Sequence, residues 1–171
     1  MTGLAETGMS KRSEKQWKKL RIAYGYLRDR VEAKGKRKDR YQLDVEDIVL
    51  VSNYKGSGGI VAEPKETFGK KTEAYSEVLR TIAEKYGEKT LKRLSRPEVE
   101  ELIGYCETFL ELTKRKQSRI SGFGPAHASV LLNAFFPEII PILDRQIFNG
   151  AGIQYLRTSS QGNVIQIERY Y

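Results

Sequence analysis

Apolar residues recur along most of this chain at alternating steps of three and four, the spacing of one face of an α-helix. Trp17, Leu20, Tyr24, Leu27 and Val31 form the first such stripe, with lysines and arginines on the opposite face. The basic run Lys34 to Arg40 ends it as a loop. Val45 to Val51 is a short apolar run that fits helix or strand; Asp44 stands where an N-cap would, so a helix is expected. Tyr54-Lys-Gly-Ser-Gly-Gly59 breaks it, and residues 60 to 71 read as irregular. Tyr75, Val78, Leu79, Ile82, Ala83 and Tyr86 then describe a core-facing helix over Glu73 to Tyr86, closed by Gly87.

Ser95-Arg-Pro-Glu98 has the form of a capping box with proline in the first turn, so the next helix begins there. Val99, Leu102, Ile103, Cys106, Phe109 and Leu110 give it a buried face, and its last turns carry Lys114, Arg115, Lys116 and Arg119. A further helix, with Ala128, Leu131, Leu132 and Phe135 on one face, ends before Pro137. Arg145 to Phe148 reads as a short helix and Val164 to Tyr171 as the opening turns of another. The expectation is an all-α protein of about seven helices. A basic tail occupies residues 1 to 13 and a single helical domain residues 14 to 171.

Between two of these helices lies Ile120-Ser-Gly-Phe-Gly-Pro125. Gly122 and Gly124 tolerate positive φ and leave no side chain in the way, so backbone N–H groups there can approach an anion closely. Pro125 suits the first turn of a helix, where its missing N–H would have no intrahelical partner. Amides and the positive helix end would converge on one phosphate. Two readings fit: a tight interhelical turn, or a grip on a nucleic-acid backbone that does not read its sequence. A short apolar run after the second helix leads to Asp144, which suits an N-cap for residues 145 to 148 or a working carboxylate.

Residues 112 to 150 resemble the helix-hairpin-helix DNA glycosylases, the HhH-GPD superfamily that cuts a damaged or mispaired base from its sugar. That hairpin runs hydrophobic-Pro-Gly-Val-Gly, a variable residue, a position holding Lys in strand-cleaving members, then Thr-Ala. Ile120, Ser121, Gly122, Phe123, Gly124, Pro125, Ala126, His127 and Ala128 match it in order. The resemblance implies a helix-hairpin-helix at about 112 to 136 and an aspartate loop at 137 to 145. It implies that Ser121, Gly122, Phe123, Gly124, Ala126 and His127 hold the backbone of double-stranded DNA, with Lys114, Lys116, Arg119 and Arg145 beside them. Asp144 would stabilise the oxocarbenium-like transition state and orient water. Ala126 stands where strand-cleaving members carry lysine, so the implied activity is monofunctional base excision. No organic cofactor is implied, and a monovalent cation is the one ion the hairpin would take. Members usually continue with helices beyond this point, which makes the C-terminal face a place for a partner.

Charge strengthens the nucleic-acid reading by its distribution. Residues 1 to 41 hold 13 Lys and Arg against 5 Asp and Glu, a net +8, whereas the rest holds 17 of each. This is an electrostatic footprint for a polyanion or a solvated basic helix and tail. Lys36, Arg37 and Lys38, and Tyr54 and Lys55 beside the glycine-rich loop, are further candidate DNA contacts. That loop lacks the spacing of a nucleotide P-loop and reads as a surface loop ahead of a substrate-touching one.

Other chemistries are excluded or weakened. No segment approaches the roughly 20 apolar residues of a membrane span, and Met1 to Ser10 lacks a signal peptide's apolar centre, so an intracellular place, cytoplasmic or with the chromosome, is expected. The lone Cys106 forms no internal disulfide and reads as core. His127, the only histidine, has no cysteine partners for a metal site. Ser129 reads as a small packing residue, not a nucleophile. A non-catalytic DNA-binding hairpin module and a helical protein-interaction domain are the alternatives to an enzyme.

Overall fold

The structure, a computed structural model, describes residues 13–35, 39–55 and 63–143. It is all-helical among the described residues. Helices α1 (Glu14–Lys34), α2 (Val45–Lys55), α3 (Lys65–Tyr86), α4 (Arg96–Leu112) and α5 (Pro125–Phe135) follow in order, with one 3-10 turn at Leu91–Arg93. The helices expected at 145–148 and 164–171 lie outside the described residues, as does the tail to residue 12.

Local signals explain most of the boundaries. Ser13 and Gln16 close a reciprocal capping box on α1, and Ser95 and Glu98 do the same on α4, where Pro97 occupies the first turn. Asp44 accepts the Asp47 N–H at 3.2 Å while Asp47 accepts that of Asp44 at 2.9 Å, so Asp44 is the cap expected of it. Gly87 ends α3 in the ordinary right-handed conformation; a Cβ there would stand 2.6 Å from the Ala83 carbonyl oxygen.

Helix α5 is the centre of the packing. Ala128 to Leu132 are all buried in succession, the mark of a core helix and not of a surface one. It packs on α1, α2 and α4, while α1 pairs with α2 and α3 with α4.

Four expectations change. Residues 65 to 71 are helical, because Phe68 and Thr72 extend the buried stripe of Tyr75, Leu79 and Ile82 back toward Pro64. α4 stops at Leu112, well short of Arg119. The Thr113 hydroxyl donates to Leu110 O and the Ser118 hydroxyl to Leu112 O, each at 2.7 Å, so both serve carbonyls that a further helical turn would have used. Turns, not a helix, therefore lead from residue 113 into the hairpin. Trp17 is 42% exposed and outside the core, since the α1 stripe is buried only from Leu27 onward.

The fourth change concerns charge. Lys34 is the last residue of α1, not a loop cation, and is buried. Its ammonium meets Asp47, which is fully buried, and donates to Gln42 O at 2.8 Å. Arg30 pairs with Asp44, Glu46 and Asp47. Part of the N-terminal positive excess is thus spent on acids of α2 and its cap, because a buried carboxylate demands an ionic partner.

Candidate nucleic-acid interface

The hairpin is a tight turn wedged into the core. Phe123 N–H donates to Ile120 O at 3.1 Å, and Gly122, third of the four residues, has φ +77°, the geometry of a type II turn. Ile120 and Phe123 are buried, so Ser121 and Gly122 form the exposed tip. Phe123 sets its ring edge-on to Tyr75, with centroids 5.7 Å apart. Its side chain is an anchor, and only its main chain is available to a ligand.

Gly124 then caps α5. Its carbonyl accepts the His127 and Ala128 N–H groups, both at 3.0 Å, and Pro125 follows in the first turn. No side chain caps this helix end. Gly124 has φ −100° and ψ −178°, angles open to any residue, and a Cβ added there would meet nothing within 4 Å. Ile120 O and Gly124 O each accept main-chain N–H groups of the turn and of the first turn of α5.

A cleft of about 710 Å³ opens on this hairpin. Of the residues expected at the backbone contact, Ser121, Gly122, Phe123, Gly124, Ala126, His127, Lys116 and Arg119 all line it. Lys114 does not; it turns to Glu111 at 2.9 Å on the exposed side. His127 stands 6.2 Å from the Phe123 ring, centroid to centroid. Tyr54 packs on Tyr24 between α1 and α2, away from the cleft lining. Lys36, Arg37, Lys38, Asp144 and Arg145 lie outside the described residues, as does the side chain of Lys55.

Three lining residues had gone unnoticed: Glu63, Lys71 and Thr113. Lys71 reaches both oxygens of Glu63 at 2.7 Å, and the Ser121 N–H at the hairpin tip points to the same carboxylate at 3.4 Å. The Lys71 hydrogen bond, then that of Ser121 and the charges of Lys71 and Arg119, hold the Glu63 carboxyl below the usual carboxylate range. The signal for Lys71 was present in the Phe68–Thr72–Tyr75 spacing, had buried Thr72 been admitted to the stripe.

The approach to Asp144 is also built on α5. Ser129 and Asn133, four residues apart and so on one helix face, hold the returning segment: Leu143 N–H donates to Ser129 Oγ at 2.5 Å, and Asn133 Nδ2 donates to Ile140 O at 2.6 Å. Leu143 is buried. Ser129 is buried, as a packing residue would be, and it also holds the returning segment through this hydrogen bond.

Elsewhere, burial pushes the Cys106 thiol up to about 12, so it is an inert core thiol. Among the described residues no group of His, Cys, Asp and Glu could hold a metal, and no helix is long and apolar enough to cross a membrane. No protein family, curated protein or solved structure matches the chain.

Proposed function

We propose that this cleft grips a phosphate of double-stranded DNA and that the chain is a monofunctional DNA glycosylase of the helix-hairpin-helix type, acting in base excision repair. Gly124 carries the reading. Nothing among the described residues requires glycine there, since its angles suit any residue and an added Cβ would meet none of them within 4 Å. A ligand approaching the main chain does require it. Gly122, the α5 end without a side-chain cap, Lys116 and Arg119 supply the turn, the dipole and the charge for an anion at the same place.

The chemistry is assigned to Asp144. With a nucleotide extruded toward it, its carboxylate stabilises positive charge as the C1′–N bond breaks and the electron pair leaves with the base; water then adds at C1′. Two features support this. The chain one residue before Asp144 is fixed to α5 by Ser129, and α5 also carries the hairpin at its N-terminus, so one buried helix sets both segments. Ala126, which lines the cleft, stands at the hairpin position where strand-cleaving members of the superfamily it resembles carry lysine.

The test is base release from duplexes bearing oxidised, alkylated, deaminated or mismatched bases, native protein against Asp144→Asn. Abasic sites that need alkali to become breaks, and that vanish in the variant, are expected. Salt-sensitive duplex binding with no release from any substrate would leave a non-catalytic hairpin module and make Asp144 a helix cap.

A further inference from the structure

We propose that the Glu63 carboxylate occupies the position one DNA phosphate takes on binding, and that Lys71 is a phosphate ligand held in reserve behind it. The inference deepens the phosphate-gripping reading and rests on it.

The contacts of Glu63 are those of a bound oxyanion. It accepts from the main-chain N–H of Ser121 at the hairpin tip and from Lys71 Nζ at 2.7 Å through both oxygens, with the charge of Arg119 nearby. A backbone amide, an ammonium and a guanidinium around one anion make up a phosphate site. The pair is shielded: the side chain of Glu63 is 11% exposed and that of Lys71 17%. Lys116 lines the same cleft and has no ion-pair partner among the described residues, so the cleft holds more positive charge than Glu63 cancels.

The Ser121 contact is the weak one, at 3.4 Å against 2.7 Å for Lys71. An incoming phosphate with more oxygens and more charge takes the amide first. Glu63 then faces a like charge, and Lys71 is left to bridge the two or to follow the phosphate. Glu63 sets a threshold: a single phosphate displaces it only at high concentration, and a backbone offering several phosphates at once displaces it readily.

The test uses a short labelled duplex and a salt series, with the full chain and its Glu63→Gln variant. The variant is expected to bind about tenfold more tightly, in line with removal of a like charge from an anion site. Its log–log salt slope should steepen by about 0.9, because Lys71 becomes one more phosphate contact. Both gains should disappear in Glu63→Gln/Lys71→Met, and Glu73→Gln, which removes an exposed carboxylate paired with Arg80, should give neither. In the native protein, inorganic phosphate should shift the Ser121 amide and the Glu63 carboxyl resonances together, a readout that does not depend on the variant folding. Gly122-dependent duplex binding in the native protein, with Glu63→Gln unchanged or weaker and the Glu63 resonance unmoved, overturns this inference alone. Duplex and phosphate both ignored by native protein and variant overturn the phosphate reading with it.

Discussion

Tyr75 and Phe123 meet edge to face, ring centroids 5.7 Å apart at 80°, and so join the middle of α3 to the turn between Ile120 and Gly124. Tyr75 also stands edge-on to Phe109 of α4, and its hydroxyl donates to Ser118 O at 3.2 Å. One buried tyrosine therefore positions both the hairpin and the turns that precede it. Burial pushes its pKa up, which keeps it a donor at any working pH. Phe123→Ala should cost about 3–5 kcal/mol of stability. Tyr75→Phe, which keeps the ring and loses the bond, should cost about 1 kcal/mol. Urea unfolding of the two variants measures this, and equal losses would mean that the ring contact is not what holds the turn.

The two hairpin glycines should separate stability from binding. Alanine at Gly122 must adopt φ +77° and should cost about 1–2 kcal/mol as well as duplex affinity. Alanine at Gly124 meets open space at ordinary angles, so stability should stay within about 0.5 kcal/mol of native. Its methyl group would stand between the main chain and a phosphate, and duplex binding should fall. Thermal melts and duplex titrations decide the matter; full binding by Gly124→Ala would remove the main support for a backbone grip.

Helix identity was legible wherever one apolar stripe met a cap: Ser95 with Glu98 and Asp44 ahead of Val45 each marked a start that the structure keeps. The hairpin residues were legible too, because glycine pairs and a following proline have few conformational uses. Boundaries set by side-chain hydroxyls were not. The Thr113 and Ser118 bonds that end α4 depend on tertiary burial, and the buried Thr72 disguised the front of α3 as polar loop. The same disguise hid Lys71 and Glu63. Charge was the least legible property, since Lys34 and Arg30 look like solvated arm cations until Asp47 is found buried against them.

Acid stability should report the α4 cap. Lys89, then the Ser95 N–H and hydroxyl, hold Glu98 down to about 2 from an ordinary 4.5. A carboxyl depressed in the folded state stabilises fully above its unfolded pKa, and that stability is lost as pH falls toward the folded value. The loss attributable to Glu98 therefore falls between about pH 4.5 and 2. Glu98→Gln should lower stability at neutral pH and flatten its decline across that window, read from unfolding midpoints over a pH series. An unchanged slope would show that the cap adds nothing beyond solvent.

Ser129 offers the sharpest separation of grip from chemistry. Its hydroxyl is the acceptor for the buried Leu143 N–H, one residue before Asp144, and it lies in α5 beyond the hairpin end of the helix. Ser129→Ala leaves that N–H buried without a partner, which costs about 1–3 kcal/mol and frees the segment to shift. Duplex affinity, set by the hairpin and its cations, should be native. Base release should fall by about a hundredfold, as a misplacement near 1 Å produces, and Ser129→Thr should recover part of it, because the hydroxyl returns at the expense of one extra methyl group in a tight site. An alanine variant that releases bases at the native rate would mean that the segment is held by Asn133 and Leu143 packing alone. A variant that loses binding and release together would place Ser129 in the support of the hairpin instead.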